Sequence, residues 1–459
     1  MSESHHNPAT DAMVETIAAI STPPGRGGIG IVRLSGPQAA SIAAQLVRLR
    51  HPLEHARARL TDVLDETERI DEAIVTFFAA PNSYTAEDLV EIAAHGSPVV
   101  LDVLLRRALA LGARLAEPGE FTQRAFLSGR LDLTQAEAVR DLIDAQTLTQ
   151  ARQAASQMGG ALSHRVAHVK QSLVELIARL EAGIDFAEDD VDVTPQSEIA
   201  ALIAALIPPL SALEASFARG RIVHDGLTLA IVGRPNAGKS SLFNRLVERD
   251  RAIVTATPGT TRDLVTERIS LAGIPLELVD TAGLREAHEE AEQIGISRSR
   301  EALADAALVL IVLDATQPLN DEERSLLAAV ENRPAIIAIN KCDLAASPAH
   351  PPELASVPAH RTSALTGEGI QPLRDQILAL ATGGAAPEPG LLTNLRQHQA
   401  ITTTLAALAD AARANDESIP HEMILLDLYR ALWALDSLTG QTTPDDILNL
   451  IFSTFCIGK

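Results

Sequence analysis

The sequence predicts a multidomain α/β fold, in which an inserted α/β domain interrupts a helical domain and a smaller α+β domain precedes both. Residues 14–120 alternate short β-rich runs with helical ones. Residues 131–221 and 391–459 are almost wholly helical, and a strand–loop–helix alternation lies between them. We expect domain boundaries at 1–128, 129–222, 223–383 and 384–459. Two unrelated helical bundles are the alternative to one interrupted helical domain.

Apolar periodicity predicts the first elements of the α+β domain. The runs Ile29–Leu34 and Ala73–Phe78 favour strands because they are short and rich in β-branched and aromatic residues. Residues 98–111 favour a helix, with Leu101 and Leu104 on one face. Short strands that alternate with helices in this way are typical of a compact α+β domain.

Composition excludes several classes of protein. The chain has 38 basic and 60 acidic residues, a net charge of -22, whereas a broad nucleic-acid surface is usually basic. Two cysteines, Cys342 and Cys456, are too few for a disulfide scaffold or a cysteine-rich zinc site. The polar first ten residues do not resemble a signal peptide, and no apolar run approaches the ~20 residues of a membrane helix. We expect a soluble cytoplasmic protein that makes no membrane contact.

A phosphate-binding loop begins the central α/β region. Gly233–Ser240 reads G-x-x-x-x-G-K-S, follows the strand-like run Leu229–Val232 and precedes a helical segment, which is the context this motif requires. The glycines let backbone N–H groups face phosphate oxygens. Lys239 places a cation on the β- and γ-phosphates, and Ser240 offers a hydroxyl to Mg²⁺.

Companion motifs follow in the order typical of a Ras-like GTPase. Asp280–Gly283 ends a strand and can face Mg²⁺ and the γ-phosphate, while Thr261 in the preceding loop supplies a second Mg²⁺ hydroxyl. Asn340–Asp343 ends another strand, where a carboxylate at Asp343 accepts from guanine N1–H and N2–H₂ and so selects GTP over ATP. The segment Ser363–Leu365 is expected at the base edge.

One position departs from the Ras pattern. Leu284 stands where Ras-type enzymes carry the glutamine that orients the attacking water. The acidic run of Glu286, Glu289, Glu290 and Glu292 can supply a carboxylate instead, or it is a solvated charged face. Asn236, in the phosphate loop, can hold a monovalent cation where an arginine finger would lie.

Across nearly its whole length the sequence resembles the MnmE (TrmE) family of tRNA-modification GTPases. The resemblance rests on segments in every predicted domain, ending with the C-terminal Phe-Cys-Ile-Gly-Lys: Thr22–Arg33, Pro81–Asp88, Pro118–Phe126, Gly129–Ala138, Gly259–Asp263, Asp280–Arg285 and Phe455–Lys459. One departure is Ala94-His-Gly-Ser97, where the family often has Gly-His-Gly-Gly.

The resemblance implies a function that composition does not. Such proteins form homodimers and act with an FAD-dependent partner subunit on the wobble uridine of tRNA. They add a carboxymethylaminomethyl group at C5 with a one-carbon unit from a tetrahydrofolate derivative, in its 5-formyl or 5,10-methylene form. The acidic chain fits tRNA being held mainly by the partner. The N-terminal α+β domain would then be the folate-binding and dimerisation domain.

The resemblance also assigns residues. It adds Glu292 to the catalytic residues Lys239 and Thr261 that the motifs predict, and it assigns K⁺ to Asn236, Thr255, Thr257 and Thr260. Folate contacts fall to Arg33, Glu91, Arg130 and Lys459, and Cys456 is either a reactive thiol or a packing residue. Motifs and resemblance together assign the nucleotide contacts to Asn236, Ala237, Gly238, Lys239, Ser240, Ser241, Thr255, Ala256, Thr257, Pro258, Gly259, Thr260, Thr261, Asp280, Thr281, Ala282, Gly283, Asn340, Lys341, Asp343, Ser363 and Ala364.

Two alternatives remain at this point. A ribosome-assembly GTPase of the Era or Der type shares a similar core, but it does not need the Pro-Pro-Gly-Arg-Gly-Gly segment at residues 23–28 or the Cys-Ile-Gly-Lys tail. A regulatory switch would bind partners without doing modification chemistry itself.

Overall fold

The computed structural model describes residues 15–185, 194–247, 266–280, 306–331, 333–344, 357–382, 390–441, 448 and 451–458. The chain divides into two compact units, Met1–Arg140 with Asp436–Lys459, and Asp141–Leu435.

Strands and helices alternate along most of the described chain. The strands are Ile17–Ile20 (β1), Gly27–Ser35 (β2), Arg57–Asp65 (β3), Glu68–Phe78 (β4), Leu89–Gly96 (β5), Arg114–Leu115 (β6), Leu227–Val232 (β7), Thr266–Leu271 (β8), Ile274–Asp280 (β9), Leu308–Asp314 (β10), Ala335–Asn340 (β11) and Ala359–Arg361 (β12). The helices are Ala39–Leu46 (α1), Pro98–Ala110 (α2), Glu120–Leu127 (α3), Leu133–Asp144 (α4), Leu148–Met158 (α5), Ala161–Asp185 (α6), Gln196–Asp225 (α7), Lys239–Val247 (α8), Asp321–Ala329 (α9), Ile370–Thr382 (α10), Leu395–Asp416 (α11) and His421–Thr439 (α12).

The first unit is built on a six-stranded sheet in the order β3-β4-β5-β2-β1-β6. Its neighbours are antiparallel except for β1 and β6. Alternate residues of β2 and β5, such as Val32 and Ile92, are fully buried in one core with α1 and α2. The intervening residues Arg33 and Glu91 therefore lie on the opposite face, because successive side chains of a strand alternate. The predicted strands at 29–34 and 73–78 and the helix at 98–111 are confirmed.

The two helical stretches contact each other within the second unit. Gln157 of α5 donates to the Leu391 carbonyl at 2.8 Å, and the Ser216 hydroxyl of α7 accepts from the Leu392 amide at 3.3 Å. At Gly220 a Cβ atom would lie 2.0 Å from the Leu392 carbonyl oxygen, so only glycine allows this approach.

Helix α7 is long and apolar enough to cross a membrane by length and composition, which the sequence analysis did not anticipate. Pro208 and Pro209 lie inside this helix, and its buried side chains include Ile203, Leu210 and Leu213. The helix packs against α6 and α11. Length and composition alone are weak evidence for a membrane span, because a packed helix of a bundle meets the same criterion.

The second sheet has the order β12-β11-β10-β7-β9-β8. Its pairs are parallel except for the antiparallel edge hairpin β8–β9. Both faces are covered, and β10 and β11 are buried along their whole length, as expected of a parallel sheet. The carboxyl ends of the parallel strands share one edge, where open α/β sheets bind ligands.

Candidate functional site

The loop between β7 and α8 can be formed only with glycine at two positions. Gly233 has φ +148°, and a Cβ there would lie 2.3 Å from the Val312 carbonyl oxygen. Gly238 has φ +92°, and a Cβ there would lie 2.2 Å from the Asn340 side-chain nitrogen. Both residues have backbones that L side chains rarely adopt. The glycines predicted to shape a phosphate loop are thus required sterically as well as conformationally.

Lys239 lies at the first turn of α8 and is largely buried. Its ammonium group donates to the carbonyl oxygens of Gly233 at 2.8 Å and Arg234 at 2.9 Å. Asn236 adopts a left-handed backbone, with φ +62°. A cavity of about 460 Å³ lies over this loop, lined by Pro235, Asn236, Gly238, Lys239, Ser240, Ser241 and Lys341. A lysine and a helix N-terminus that face one cavity form an anion site.

Asn340 connects the phosphate loop to the loop after β12. Its side-chain nitrogen donates to the Ala237 carbonyl at 3.0 Å, and its side-chain oxygen accepts from the Ala364 amide at 3.0 Å. The residue is 2% exposed, so both hydrogen bonds are shielded from water. Residues from three predicted motifs therefore meet at one buried amide.

Lys341 lies against a carboxylate that the sequence analysis did not name. Its ammonium group is 2.7 Å from Asp314 at the end of β10. Burial opposes ionisation of Asp314, but hydrogen bonds from Lys341 and Thr316 outweigh it and lower the pKa of the carboxyl. Asp314 ends a strand of seven buried residues, in the same position as Asn340 on β11, and that position was the available signal.

Hydrogen bonds between residues of the loop after β12 fix the conformation of that loop. Ser363 is fully buried, and its amide donates to the Glu368 carbonyl at 2.9 Å. The Thr366 amide donates to the Ser363 hydroxyl at 3.1 Å. Asp343 lies in the short 3₁₀ turn Cys342–Leu344 and is exposed, whereas the thiol of Cys342 is buried. An exposed carboxylate beside an ordered loop suits recognition of a base edge.

The described residues also fit Mg²⁺. No group of three or more His, Cys, Asp or Glu side chains in the described part of the chain could cage a metal. Mg²⁺ does not need such a cage, because it keeps several waters and takes few protein ligands beside substrate phosphates. Ser240 lines the cavity, and its hydroxyl is an oxygen of the kind that Mg²⁺ accepts as a ligand.

A second polar group lies on the face of the first sheet opposite α1 and α2, where the side chains of Arg33 and Glu91 are 13% and 27% exposed. Arg33 and Glu91 are direct cross-strand partners on β2 and β5. The Arg33 guanidinium donates to Glu91 Oε1 at 2.7 and 3.0 Å and to the Gly458 carbonyl at 3.2 Å. The rings of Tyr84 and Phe121 lie 5.7 and 5.5 Å from the guanidinium carbon, within cation–π range.

The C-terminal tail lies against the same unit. Ile457 forms a β-bridge with Pro118, and the Gly119 amide donates to the Cys456 carbonyl at 3.4 Å. A Cβ at Gly458 would lie 2.8 Å from the Ile20 carbonyl oxygen. The tail therefore brings Gly458 to Arg33 and leaves the Cys456 side chain exposed with a free thiol.

Arg130 is exposed, and none of the described hydrogen bonds joins its side chain to that of Arg33. Both cations nevertheless act on Tyr84. Burial raises the pKa of the Tyr84 hydroxyl, and the charges of Arg33 and Arg130 oppose that rise. Ser21, against which Gly458 packs, has a buried hydroxyl without a hydrogen-bond partner in the described residues. A ligand that carries carboxylates and an aromatic ring fits this surface.

Comparison with known proteins decides the family. The model of the MnmE helical domain matches residues 133–456, and that of the GTP-binding protein TrmE N-terminus matches residues 16–130. The tRNA modification GTPase MnmE of Koribacter versatilis is 59% identical over 97% of this chain and 99% of its own length. The chain belongs to the MnmE family.

A second curated relative agrees with the assignment. The tRNA modification GTPase MnmE of Chloroflexus aurantiacus is 44% identical, over 97% of this chain and 100% of its own length. Among solved structures, the G domain of the T. maritima FeoB iron transporter is 29% identical and covers 34% of this chain and 98% of its own, with a TM-score of 0.27. The chain is therefore a tRNA modification GTPase that binds GTP. The predicted family, fold class and GTPase activity are confirmed, and neither the ribosome-assembly nor the regulatory-switch alternative is favoured.

Part of the predicted MnmE site lies outside the described residues. This applies to the loop between α8 and β8, to the segment after Asp280, and to the last residue. The predicted residues concerned are Thr255, Ala256, Thr257, Pro258, Gly259, Thr260, Thr261, Thr281, Ala282, Gly283, Glu292 and Lys459. The backbone of Asp280 is described as the end of β9.

Proposed function

We propose that this MnmE-family chain works as a homodimer with an FAD-dependent partner subunit and a tRNA. In this proposal it helps to add a carboxymethylaminomethyl group at C5 of the wobble uridine, with a one-carbon unit from a tetrahydrofolate derivative. The observation that carries the proposal is the presence of two separate polar sites in one chain. The glycine-shaped loop before Lys239 suits phosphates, and Arg33 with two aromatic rings suits a folate.

At the phosphate end, the proposed residues of this chain have three roles. Lys239 neutralises the β- and γ-phosphates, and the hydroxyls of Ser240 and Thr261 hold Mg²⁺. Asn236 holds K⁺ together with the threonines at 255, 257 and 260. Asn236 is exposed and lines the cavity, which supports this role. Bound Mg²⁺ and K⁺ would supply positive charge to the phosphoryl group.

Glu292 orients the attacking water in the proposed reaction, in place of the glutamine that Leu284 replaces. A carboxylate that holds a water at hydrogen-bond distance acts as a general base or as a positioning group. Asp343 reads the guanine edge, and the Ser363–Ala364 loop completes the base site. The buried Asn340 bridge supports this arrangement, because it ties the base loop to the phosphate loop.

At the second site, Arg33 and Glu91 are paired at 2.7 Å and so contact the same part of the folate, and Arg130 binds a carboxylate of its glutamate. Lys459 completes the set as the neighbour of Gly458. The carbonyl of Gly458 accepts from Arg33, and this supports a role for the tail in the same site. Cys456 is a candidate reactive thiol there, since its side chain is exposed.

We also propose the four-part organisation 1–128, 129–222, 223–383 and 384–459, with the second and fourth parts forming one helical domain. The hydrogen bonds from Gln157 to Leu391 and from Leu392 to Ser216 support a single domain over two unrelated bundles. A GTPase domain inserted in this way can pass its movement to the helices around it.

GTP turnover in KCl and in NaCl at equal ionic strength tests the hydrolysis proposal. We expect strong stimulation by K⁺, and a loss of turnover in Glu292→Ala with GTP affinity retained. Glu322→Ala is the matched control, because Glu322 is an exposed glutamate of α9. Equal rates in the two salts would remove the K⁺ role, and normal turnover in Glu292→Ala would remove the catalytic role.

Titration with 5-formyltetrahydrofolate by calorimetry tests the second site. We expect Arg33→Ala to weaken binding by at least tenfold, since a charge-assisted contact contributes about 1.5–3 kcal/mol. Arg48→Ala is the control, because Arg48 is an exposed arginine of the same unit that pairs with Asp62. Equal folate affinity in wild type and Arg33→Ala would overturn this assignment. GTP turnover of both variants should stay normal.

A further inference from the structure

Helix α8 spans the distance between the phosphate and base ends of the nucleotide site. It begins at Lys239, which lines the cavity, and includes Arg245 less than two turns later. A helix rises about 1.5 Å per residue, so these residues are about 9 Å apart along its axis. Groups attached to the two ends of α8 are therefore held at a constant separation.

Arg245 contacts the loop after β12. Its Nη2 atom donates to the Leu365 carbonyl at 3.2 Å. A Cβ atom at Gly367 would lie 3.4 Å from the same nitrogen, so the guanidinium lies across the outer side of the turn. The Leu365 side chain is 81% exposed, and it provides no packing that would hold this part of the loop.

A second arginine joins the same elements further from the site. Arg374 of α10, which follows the loop, is 7% exposed and donates to the Leu246 carbonyl at 3.3 Å. On the inner side, the Ala364 amide is held by Asn340. The loop is thus fixed at its start by Asn340 and behind by Arg374, and Arg245 holds its exposed tip.

The chemistry of guanine gives this contact a consequence. In the proposed function, Asp343 accepts from N1–H and the 2-amino group, which leaves O6 as the other polar group on that edge. O6 is an acceptor and needs a donor. In the loop at residues 363–365 the amides of Ser363 and Ala364 already donate to Glu368 and Asn340, so among the described hydrogen bonds the Leu365 amide is the donor left for O6. Its direction depends on the conformation of the tip, where Arg245 contacts the Leu365 carbonyl.

We propose that Arg245 is a positioning residue for base recognition, which sets the loop at residues 363–365 to face guanine O6. The inference rests on the proposed base site at Asp343. The contact to Leu365 comes from a flexible side chain on a rigid helix, so its removal should loosen the tip and leave the phosphate loop in place. Removal of the contact should weaken the binding of nucleotides that carry a 6-oxo group and leave the affinity for nucleotides without one unchanged.

The test compares dissociation constants of three nucleoside diphosphates for wild type, Arg245→Ala and Arg245→Lys. GDP carries both edge groups, IDP lacks the 2-amino group, and 2-aminopurine riboside diphosphate lacks O6 together with the N1 proton. We expect Arg245→Ala to weaken GDP and IDP alike by roughly fivefold, the size of one ordinary hydrogen bond. Binding of the 2-aminopurine nucleotide should not change, and Arg245→Lys should recover part of the loss.

The control is Arg324→Ala, which removes a half-exposed arginine of α9 from the same unit and should bind all three nucleotides as wild type does. Equal weakening of all three by Arg245→Ala would indicate a general structural role and overturn the proposal, as would wild-type binding of all three. If the wild-type protein binds GDP and the two analogues with equal dissociation constants, the assignment of guanine recognition to Asp343 is overturned instead.

Discussion

In the turn between β8 and β9, a single added carbon should clearly lower the free energy of unfolding. Gly273 has φ +88°, and a Cβ there would lie 2.0 Å from the Thr149 hydroxyl and 2.9 Å from the Thr149 Cβ. The Gly273 carbonyl also accepts from the Thr147 hydroxyl at 2.6 Å. Thr147 is the N-cap of α5, so the turn is seated on the start of this helix. We expect Gly273→Ala to destabilise this unit.

Two effects set the magnitude. A left-handed backbone costs a non-glycine residue about 1–2 kcal/mol. The Thr149 hydroxyl can rotate away, but its Cβ cannot, and overpacking of this kind costs about 1–3 kcal/mol. We expect the free energy of unfolding to fall by about 2–5 kcal/mol in Gly273→Ala. Urea unfolding followed by fluorescence of Trp433, the single tryptophan, measures it within the same unit.

A double-mutant cycle separates the two effects. Thr149→Gly alone should cost only about 0.5 kcal/mol of helix propensity, because Thr149 is partly buried in the first turn of α5. In the Gly273→Ala background the same change should restore about 1–2 kcal/mol, since it removes both the hydroxyl and the Cβ that the new Cβ meets, and the backbone cost should remain. If the double variant is as unstable as the sum of the two single variants, steric overlap with Thr149 is not the cause and this reasoning is wrong.

Three further predictions follow from buried polar groups. Asn340→Ala should lower the free energy of unfolding by about 2–4 kcal/mol and weaken GTP binding, because a buried carbonyl and a buried N–H each lose their partner; unchanged urea unfolding and GTP titrations would contradict this. The hydrogen bond to Asp141 raises the pKa of His224 from 6.5 to about 9, so stability from this pair is full below pH 6.5 and is lost as pH rises toward 9. Denaturant midpoints over this range should decline in wild type by the equivalent of about 2 kcal/mol and stay flat in His224→Gln. Burial favours the neutral form of Glu120, but Arg114 overrides it and the pKa is lowered, so wild type should lose stability as pH falls through the acid range and Glu120→Gln should lose less, as thermal scans would measure.

Some features of the nucleotide site could be predicted from residues that are adjacent in the sequence, and others could not. The phosphate loop was predicted fully, since Gly233–Ser240 and the strand and helix beside it are adjacent in sequence. Asp314 was missed, although its position at the end of β10 matches that of Asn340 on β11. A carboxylate at a strand end has many uses, and its contact with Lys341 depends on how β10 and β11 pair.

For this protein, the sequence by itself determined the order of the domains, the GTPase motifs and the family, because each depends on residues close together or on their order along the chain. Tertiary structure decided which distant groups meet. Arg33 and Glu91 are 58 residues apart and pair because β2 and β5 are in register. Gly458 reaches Arg33 across 425 residues, and Arg245 reaches Leu365 across 120. Hydrogen bonds act over about 3 Å, so such partners are decided by strand register and helix packing, which no local pattern encodes.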